Sequence, residues 1–349
     1  MAEREIIIDG SEGEGGGQVL RTSLSLSAIT GKPVRIENVR GRRKKPGLKR
    51  QHLTALKAAA EICGARVEGA ELNSPEISFH PGAIIGGEYH FSIGSAGATT
   101  LVAQTILPIL AHADTASTAT ITGGTHNLWA PTFDFLDEAF LPLFRTMGGR
   151  ASAVLNAYGF NPAAGGSMTL NVKPTETPLR LELMDRGARV SERVVAVVAN
   201  LKHDIASREL KTILRGLNLA PEQGEILHVE GPGPGNVVSL FLEHEHVTEV
   251  FTGIGEYGVR AETLAKTIVT NAQKYIQAKS ADGRNNTAVG EHLADQLLLP
   301  MALFKGGVFT AMDITEHTRT NIEIIRRFLN VDIRLTQKGR KCWTVEVEV

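Results

Sequence analysis

"EYHFSIGSAGATTLVAQTILPILAHADTASTATITGGT", residues 88–125, reads as a strand, a Gly/Ser turn, an apolar helix and a second strand. The start of the chain has the same grammar. "REIIID" (4–9) is β-rich, "GSEGEGGG" (10–17) is a glycine turn, a helix begins at Gln18, and "KPVRIENV" (32–39) returns as a strand. Leu20, Leu24 and Ala28 stack at helical spacing. A second helix carries Leu53, Leu56, Ala60 and Cys63 on one face, and "ARVEGAEL" (65–72) and "PEISFHP" (75–81) close the unit as strands. The pattern is βαβαββ. After residue 125 it is completed again by the helix "PTFDFLDEAFLPLFRTMGG" (131–149) and the strands "RASAVLNAYGF" (150–160) and "SMTLNVKP" (167–174). Gly10 and Gly94, which end the two opening strands, stand 84 residues apart, as a repeated unit would place them.

A third unit starts near "LRLELMDRG" (179–187) and ends with the helix "EHTRTNIEIIRRFL" (316–329) and the strands "VDIRLTQ" and "CWTVEVEV". From about Arg186 to Ala281 a self-contained α+β pattern intervenes, leaving through the polar stretch "SADGRNNT" (280–287). The expected fold is therefore α/β (α+β): three repeated βαβαββ units forming a large domain, 1–185 and 282–349, with a small inserted α+β domain, 186–281. A length of 349 residues fits two domains.

Composition narrows the chemistry. Net charge is −1, so affinity for a polyanion must come from local clustering. Only Cys63 and Cys342 are present, which excludes a disulfide framework and a cysteine zinc site. "MAEREIII" lacks a signal-peptide core and no apolar run reaches membrane-spanning length, so no membrane association and a cytoplasmic address are expected.

The glycine loop fails the dinucleotide fingerprint, because Gln18 stands where the last glycine should be after Gly13 and Gly15, and no Gly-Lys-Ser/Thr makes it a P-loop. Two readings stay open: a structural turn, or a loop that brings the Glu14 carboxylate, with Arg21 one turn into the helix, to a divalent cation and phosphate oxygens. Between Arg35 and Arg50 lie eight Lys/Arg and one Glu. A solvated charged face would explain them. So would several guanidinium groups converging on a phosphate, since the run straddles a Pro-Gly turn and ends at a helix start. No aromatics interleave with it, which points to a terminus or a phosphate rather than a base-stacking platform.

In "DITEHTRTNIEIIRRF" (313–328), Ile314, Ile322, Ile325 and Phe328/Leu329 form the apolar face and Asp313 or Thr315 would cap the helix. His317 then lies in the first turn. It is either a surface histidine near a helix end or a neutral imidazole beside an anion site, suited to attack phosphorus. His244 and His246 share a strand face without a third ligand to make a zinc site. His126, in "TGGTHNLWAP", belongs to a loop facing a cleft.

Three segments together, "EGEGGGQVLR", "RRKKPGLKRQHLTA" and "VGEHLADQLLLPMAL…HTRTNI", resemble the RNA 3′-terminal phosphate cyclases, and the resemblance runs through "GSAGATTLVAQTILP" over nearly the whole chain. It implies conversion of an RNA 3′-phosphate end to a 2′,3′-cyclic phosphodiester, with ATP as co-substrate and Mg²⁺ or Mn²⁺. By the resemblance, His317 forms a covalent histidine–AMP intermediate and Glu14 binds metal. Arg21, Arg40, Arg43 and Gln51 surround the RNA-end and ATP phosphates. Gln104, Pro131, His292, Leu293, Ala294, Asp295 and Gln296 bind ATP. The chain departs from the family's His-Gly-Phe-Tyr-Pro-Ala-Gly-Gly-Gly at Tyr158, Asn161 and Ala164, and has His292 where a tyrosine is common. The other expectations to weigh are a non-catalytic, RNA-binding ribosome-assembly relative of the same fold, which would lack the nucleophilic histidine, and an enolpyruvyl-transferase-like enzyme on a related repeat architecture.

Overall fold

The computed structural model describes residues 5–280, 283 and 285–349. Among them the chain is a mixed α/β fold with four small sheets and eight α-helices. The first sheet is built from β1 (Ile6–Asp9), α1 (Gly17–Thr30), β2 (Val34–Glu37), α2 (Arg50–Cys63), β3 (Arg66–Glu68) and β4 (Ile77–His80), with strand order β1-β2-β4-β3. β1 and β2 run parallel across the α1 crossover with Ile6 opposite Val34, and β4 is antiparallel to both its neighbours.

β5 (Glu88–Ser92), α3 (Thr99–Leu110), β6 (Ser117–Gly123), α4 (Leu141–Thr146), β7 (Arg150–Ala157) and β8 (Gly166–Lys173) form the second sheet, ordered β5-β6-β8-β7. The single helix expected over 131–149 is instead a π-helical turn, Phe135–Phe140, running into the short α4. Pro142 explains the difference. Its ring has no N–H for the carbonyl four residues back and presses on it, so the preceding turn widens.

β9 (Leu181–Leu183) is followed by a sheet of β10 (Arg189–Ala199), β11 (Gly224–Val229), β12 (Gly235–His244) and β13 (Thr248–Ile254), ordered β11-β10-β12-β13 and backed by α5 (His203–Leu217) and α6 (Ala261–Ile276). These helices and strands bury their own cluster, including Val194, Val238, Leu240, Ile268 and Tyr275. The expected linker falls partly on residues 281, 282 and 284, outside the described residues. The chain then returns through α7 (Glu291–Leu303), β14 (Gly307–Ala311), α8 (Glu316–Phe328), β15 (Asp332–Gly339) and β16 (Cys342–Glu348) to a sheet ordered β9-β14-β16-β15.

Helices meet at the middle. α1 packs against α2, α3 and α8, and α8 packs against α7. α1 is enclosed on nearly all sides: every residue from Val19 to Ala28 except Arg21 is buried. Ser23, Ser25 and Ser27 let neighbours approach closely, and the Ser25 hydroxyl donates to the Thr105 carbonyl of α3 at 2.8 Å. The polar face of α1 is thus an internal one, and the side chains at its N-terminus open onto the site. No helix among the described residues is long and apolar enough to cross a membrane.

Candidate active site

Gly13 (φ +57°) and Gly15 (φ +59°) sit in the left-handed region that only glycine adopts readily. Between them the Glu14 N–H donates to Thr320 Oγ1 of α8 at 2.9 Å, and Arg42 Nη1 donates to the Gly13 carbonyl at 2.8 Å. The loop is therefore pinned to the helix that carries His317. The Glu14 side chain is only 9 % exposed. Its Oε1 is 3.6 Å from His317 Nε2 and paired with the Arg43 guanidinium. Gly16 leaves room for this trio, because a Cβ there would overlap the Glu14 carboxylate and Arg43 Nη2.

α8 begins at Glu316, with Thr315 as its cap: the Thr315 hydroxyl oxygen accepts from the Thr318 N–H at 3.2 Å, whereas Asp313 accepts from the adjacent Ile314 N–H. His317 is half-exposed and lies in the first helical turn. Burial, then Arg21, Arg43 and His292, hold its imidazole below the usual value, so it is neutral near pH 7. Thr315→Ala is expected to lower stability by about 1 kcal/mol, measured by urea denaturation, while Thr315→Ser keeps the cap and the wild-type midpoint.

The basic residues divide by task. Arg21 is partly covered, donates from Nη2 to the Gln18 side-chain oxygen at 2.8 Å, and is pushed by burial down to about 10, still protonated at neutral pH. Arg40 spends its Nη1 on the carbonyls of Lys45 and Gly47, at 2.8 and 2.9 Å, and so shapes the basic loop. The Gln51 side-chain oxygen accepts from the Ala98 N–H at 3.0 Å, tying α2 to the loop before α3. Sequence reasoning passed over His52. It is 6 % exposed, its Nδ1 has no hydrogen bond among the described residues, and burial with Arg21, Arg40, Lys49 and Arg43 drives it down to about 3. Its signal was present: His52, Ala55, Leu56 and Ala59 form the buried stripe of α2. A neutral imidazole amid these cations keeps an acceptor nitrogen available.

Asp295, Gln296, Gln104, Arg21, Gln18 and Asn321 line one narrow pocket beside the cluster. Burial raises Asp295 to about 6, opposed by Arg21 and Asn321. Asn321 donates to Asp295 Oδ1 at 3.3 Å and accepts from Thr22 Oγ1 at 2.8 Å, so α1, α7 and α8 meet through one amide. The other α7 residues separate. His292 is exposed, while Leu293 and Ala294 are fully buried, their side chains in the core. The Ala294 N–H donates to the Gly290 carbonyl at 3.1 Å, closing the first turn of α7. Pro131 is outside this lining, with its carbonyl taking the Thr100 hydroxyl at 2.7 Å. Glu249 of β13, 3 % exposed, accepts from the Gly290 N–H at 2.7 Å and so fixes the start of α7 from the β10–β13 sheet.

The remaining histidines lie apart. His244 and His246 each contact a backbone carbonyl, of Leu242 and Asp185, and among the described residues no three His, Cys, Asp or Glu gather as a metal site. His126 is fully buried under the Tyr158 ring, with Nε2 3.5 Å from Asp134 Oδ2. Ala164 adopts φ +61°, a left-handed conformation that is unfavourable for a residue with a Cβ.

The model of a family described as RNA 3'-terminal phosphate cyclase matches residues 12–335. A relative of that name from Koribacter versatilis is 48 % identical over 334 residues, covering 95 % of this chain and 92 % of its own. One from Pseudomonas fluorescens is also 48 % identical, covering 95 % of each chain, and one from Ralstonia nicotianae is 47 % identical over 99 % of this chain and 97 % of its own. A solved enolpyruvyl transferase, NikO from Streptomyces tendae, aligns with a TM-score of 0.37 at 10 % identity, covering 97 % of this chain and 47 % of its own, a likeness too slight to decide fold or chemistry. With that match running almost end to end and relatives at nearly half identity, the chain belongs to the RNA 3'-terminal phosphate cyclase family.

Proposed function

We propose that this chain is an ATP-dependent enzyme that converts an RNA 3′-terminal phosphate to a 2′,3′-cyclic phosphodiester through an adenylylated histidine. One observation supports the reading most: a neutral His317 stands at a helix N-terminus, 3.6 Å from Glu14 and within the fields of Arg21 and Arg43. In the proposed sequence His317 attacks the α-phosphorus of ATP, an N–P bond forms, and the bond to the β-phosphate oxygen breaks to release pyrophosphate. An oxygen of the RNA 3′-phosphate then takes the AMP from His317. Finally the 2′-hydroxyl attacks the 3′-phosphorus, loses its proton, and expels AMP. Adenylylation is needed because a phosphate monoester has no good leaving group.

In this reading Arg21 and Arg43 bind phosphate oxygens, Arg40 and Gln51 hold the loops that shape the cluster, and Asp295, Gln296 and Gln104 contact the nucleotide. The exposed His292 and Pro131 flank its base, and the α7 backbone at Leu293 and Ala294 completes the segment. Glu14, a buried carboxylate whose oxygens meet only Arg43 and His317 among the described residues, fits a hard cation that takes one carboxylate and otherwise phosphate oxygens. Mg²⁺ or Mn²⁺ held by Glu14 would neutralise phosphate charge. The reading includes three copies of one βαβαββ unit, an α+β insertion over 186–281, and a cytoplasmic address.

The test uses ATP labelled at the α-phosphate with Mg²⁺. The protein should acquire acid-labile, alkali-stable label, and an RNA 3′-phosphate should become resistant to phosphatase. Wild-type protein that never acquires label sinks the mechanism. Label without change in the RNA end would refute the acceptor.

A further inference from the structure

Trp129 is 98 % exposed at a loop tip, in the left-handed region at φ +62°, and Tyr257 is fully exposed at another. Both line one cleft of about 1140 Å³, with walls from the 126–129 loop, the 160–162 turn, α5 and the loop before α6. Large rings left in water forgo the free energy of burial, and a strained bulky residue needs a reason to be held so. The cleft floor is polar. Glu209 and Asn236 are 1 % and 4 % exposed, and Asn236 donates to Glu209 at 2.9 Å. At the rim, Asn127 Oδ1 is buried with no hydrogen bond among the described residues. Rings for π-faces above amides and a carboxyl for edges is the chemistry that receives nucleobases.

A short turn links the cleft to the basic cluster. Asn127 donates to the Ala96 carbonyl, and the Ala98 N–H two residues on donates to Gln51. Only the turn Gly94–Gly97 separates them. Arg50 lies along that turn, its Nη1 3.5 Å from where a Gly94 Cβ would be. Within the cleft Arg208 is paired with Asp204 and Glu262 at 2.9 and 3.2 Å, and Arg260 and Glu256 also line it.

We infer that this cleft takes the bases just upstream of the RNA 3′ end, stacked on Trp129 and Tyr257, while the terminal phosphate sits in the basic cluster and Arg50 meets the phosphate between. The inference rests on the proposed cyclase reading.

Wild type, Trp129→Ala, Tyr257→Ala, the double variant and Tyr257→Phe should be compared for self-labelling and for KM with RNA 3′-phosphates of two and eight nucleotides. Both rings are exposed, so folding is preserved. Self-labelling should be unchanged. Each alanine should raise KM for the octamer about fivefold or more, with little effect on the dinucleotide and no change in the salt dependence, and Tyr257→Phe should match wild type. In a Trp343→Phe background the octamer should quench the fluorescence of the remaining Trp129.

Octamer KM unmoved by the alanines overturns the inference and leaves the cleft to a protein partner. Loss of self-labelling with RNA affinity intact overturns it in favour of ATP. Wild type that neither labels itself nor cyclises RNA refutes the underlying reading instead.

Discussion

His317→Ala is expected to leave no label on the protein and no cyclised RNA, with rates falling by roughly 10⁴-fold or more, as when a covalent nucleophile is removed. The side chain is half-exposed and Thr315, not His317, caps the helix, so the variant should keep the wild-type urea midpoint. Only chemistry is lost. The pH profile gives an independent check. Burial first, then the charges of Arg21, Arg43 and His292, depress the imidazole from its usual 6.5. A lowered value means the neutral, nucleophilic form survives into more acidic solution. The acid limb of self-labelling therefore falls below pH 6.5 in wild type. Arg43→Ala removes one depressing charge and moves that limb upward. A limb at or above the usual histidine value in wild type contradicts this account of the site.

Gly16→Ala is expected to cost roughly 10²-fold in RNA cyclisation while barely changing stability. Gly16 has an extended backbone (φ −117°, ψ −153°), so alanine meets no backbone strain there. What the new methyl meets is the Glu14 carboxylate and Arg43 Nη2. Both are the ends of flexible side chains and can swing away at small cost. In doing so they leave His317, and misplacement of catalytic groups by about 1 Å costs on the order of 10²-fold. Gly31→Ala gives the contrast. It has φ +74° and open space around the missing Cβ, so it loses about 1 kcal/mol or more of stability with activity per folded molecule intact. Kinetics and urea melts of the two variants separate clearance at the site from backbone freedom at a turn. If Gly16→Ala retains full activity, the glycines serve the turn alone.

Much of this was legible in one dimension. Apolar spacing placed α1, α2 and α8, because a helix against a core repeats its buried face every three to four residues. Glycine content marked a loop of close approach, and Asp313 or Thr315 before an apolar run marked the start of α8, the structure choosing Thr315. The limits were equally physical. Periodicity could not see the widened turn at Phe135–Phe140, which follows from one proline, or the burial of α1 on nearly all sides by α2, α3 and α8. His52 looked like part of a charged run, yet its place on the inner stripe of α2 puts it out of water among cations. Leu293 and Ala294 belong to a motif whose side chains divide between site and core, and a motif does not say which is which.

By itself the sequence determined the alternation of strands and helices, the run of basic residues, and the identity of a histidine with a carboxylate partner to be found. Those are local properties of propensity and pattern. Tertiary structure alone decided that Glu14 and His317, some three hundred residues apart in the chain, lie 3.6 Å apart. It also decided that Glu249 grips the start of α7 and that Trp129 and Tyr257 face one cleft. Such meetings depend on how buried faces pack against each other, and that packing is fixed only when the whole core forms.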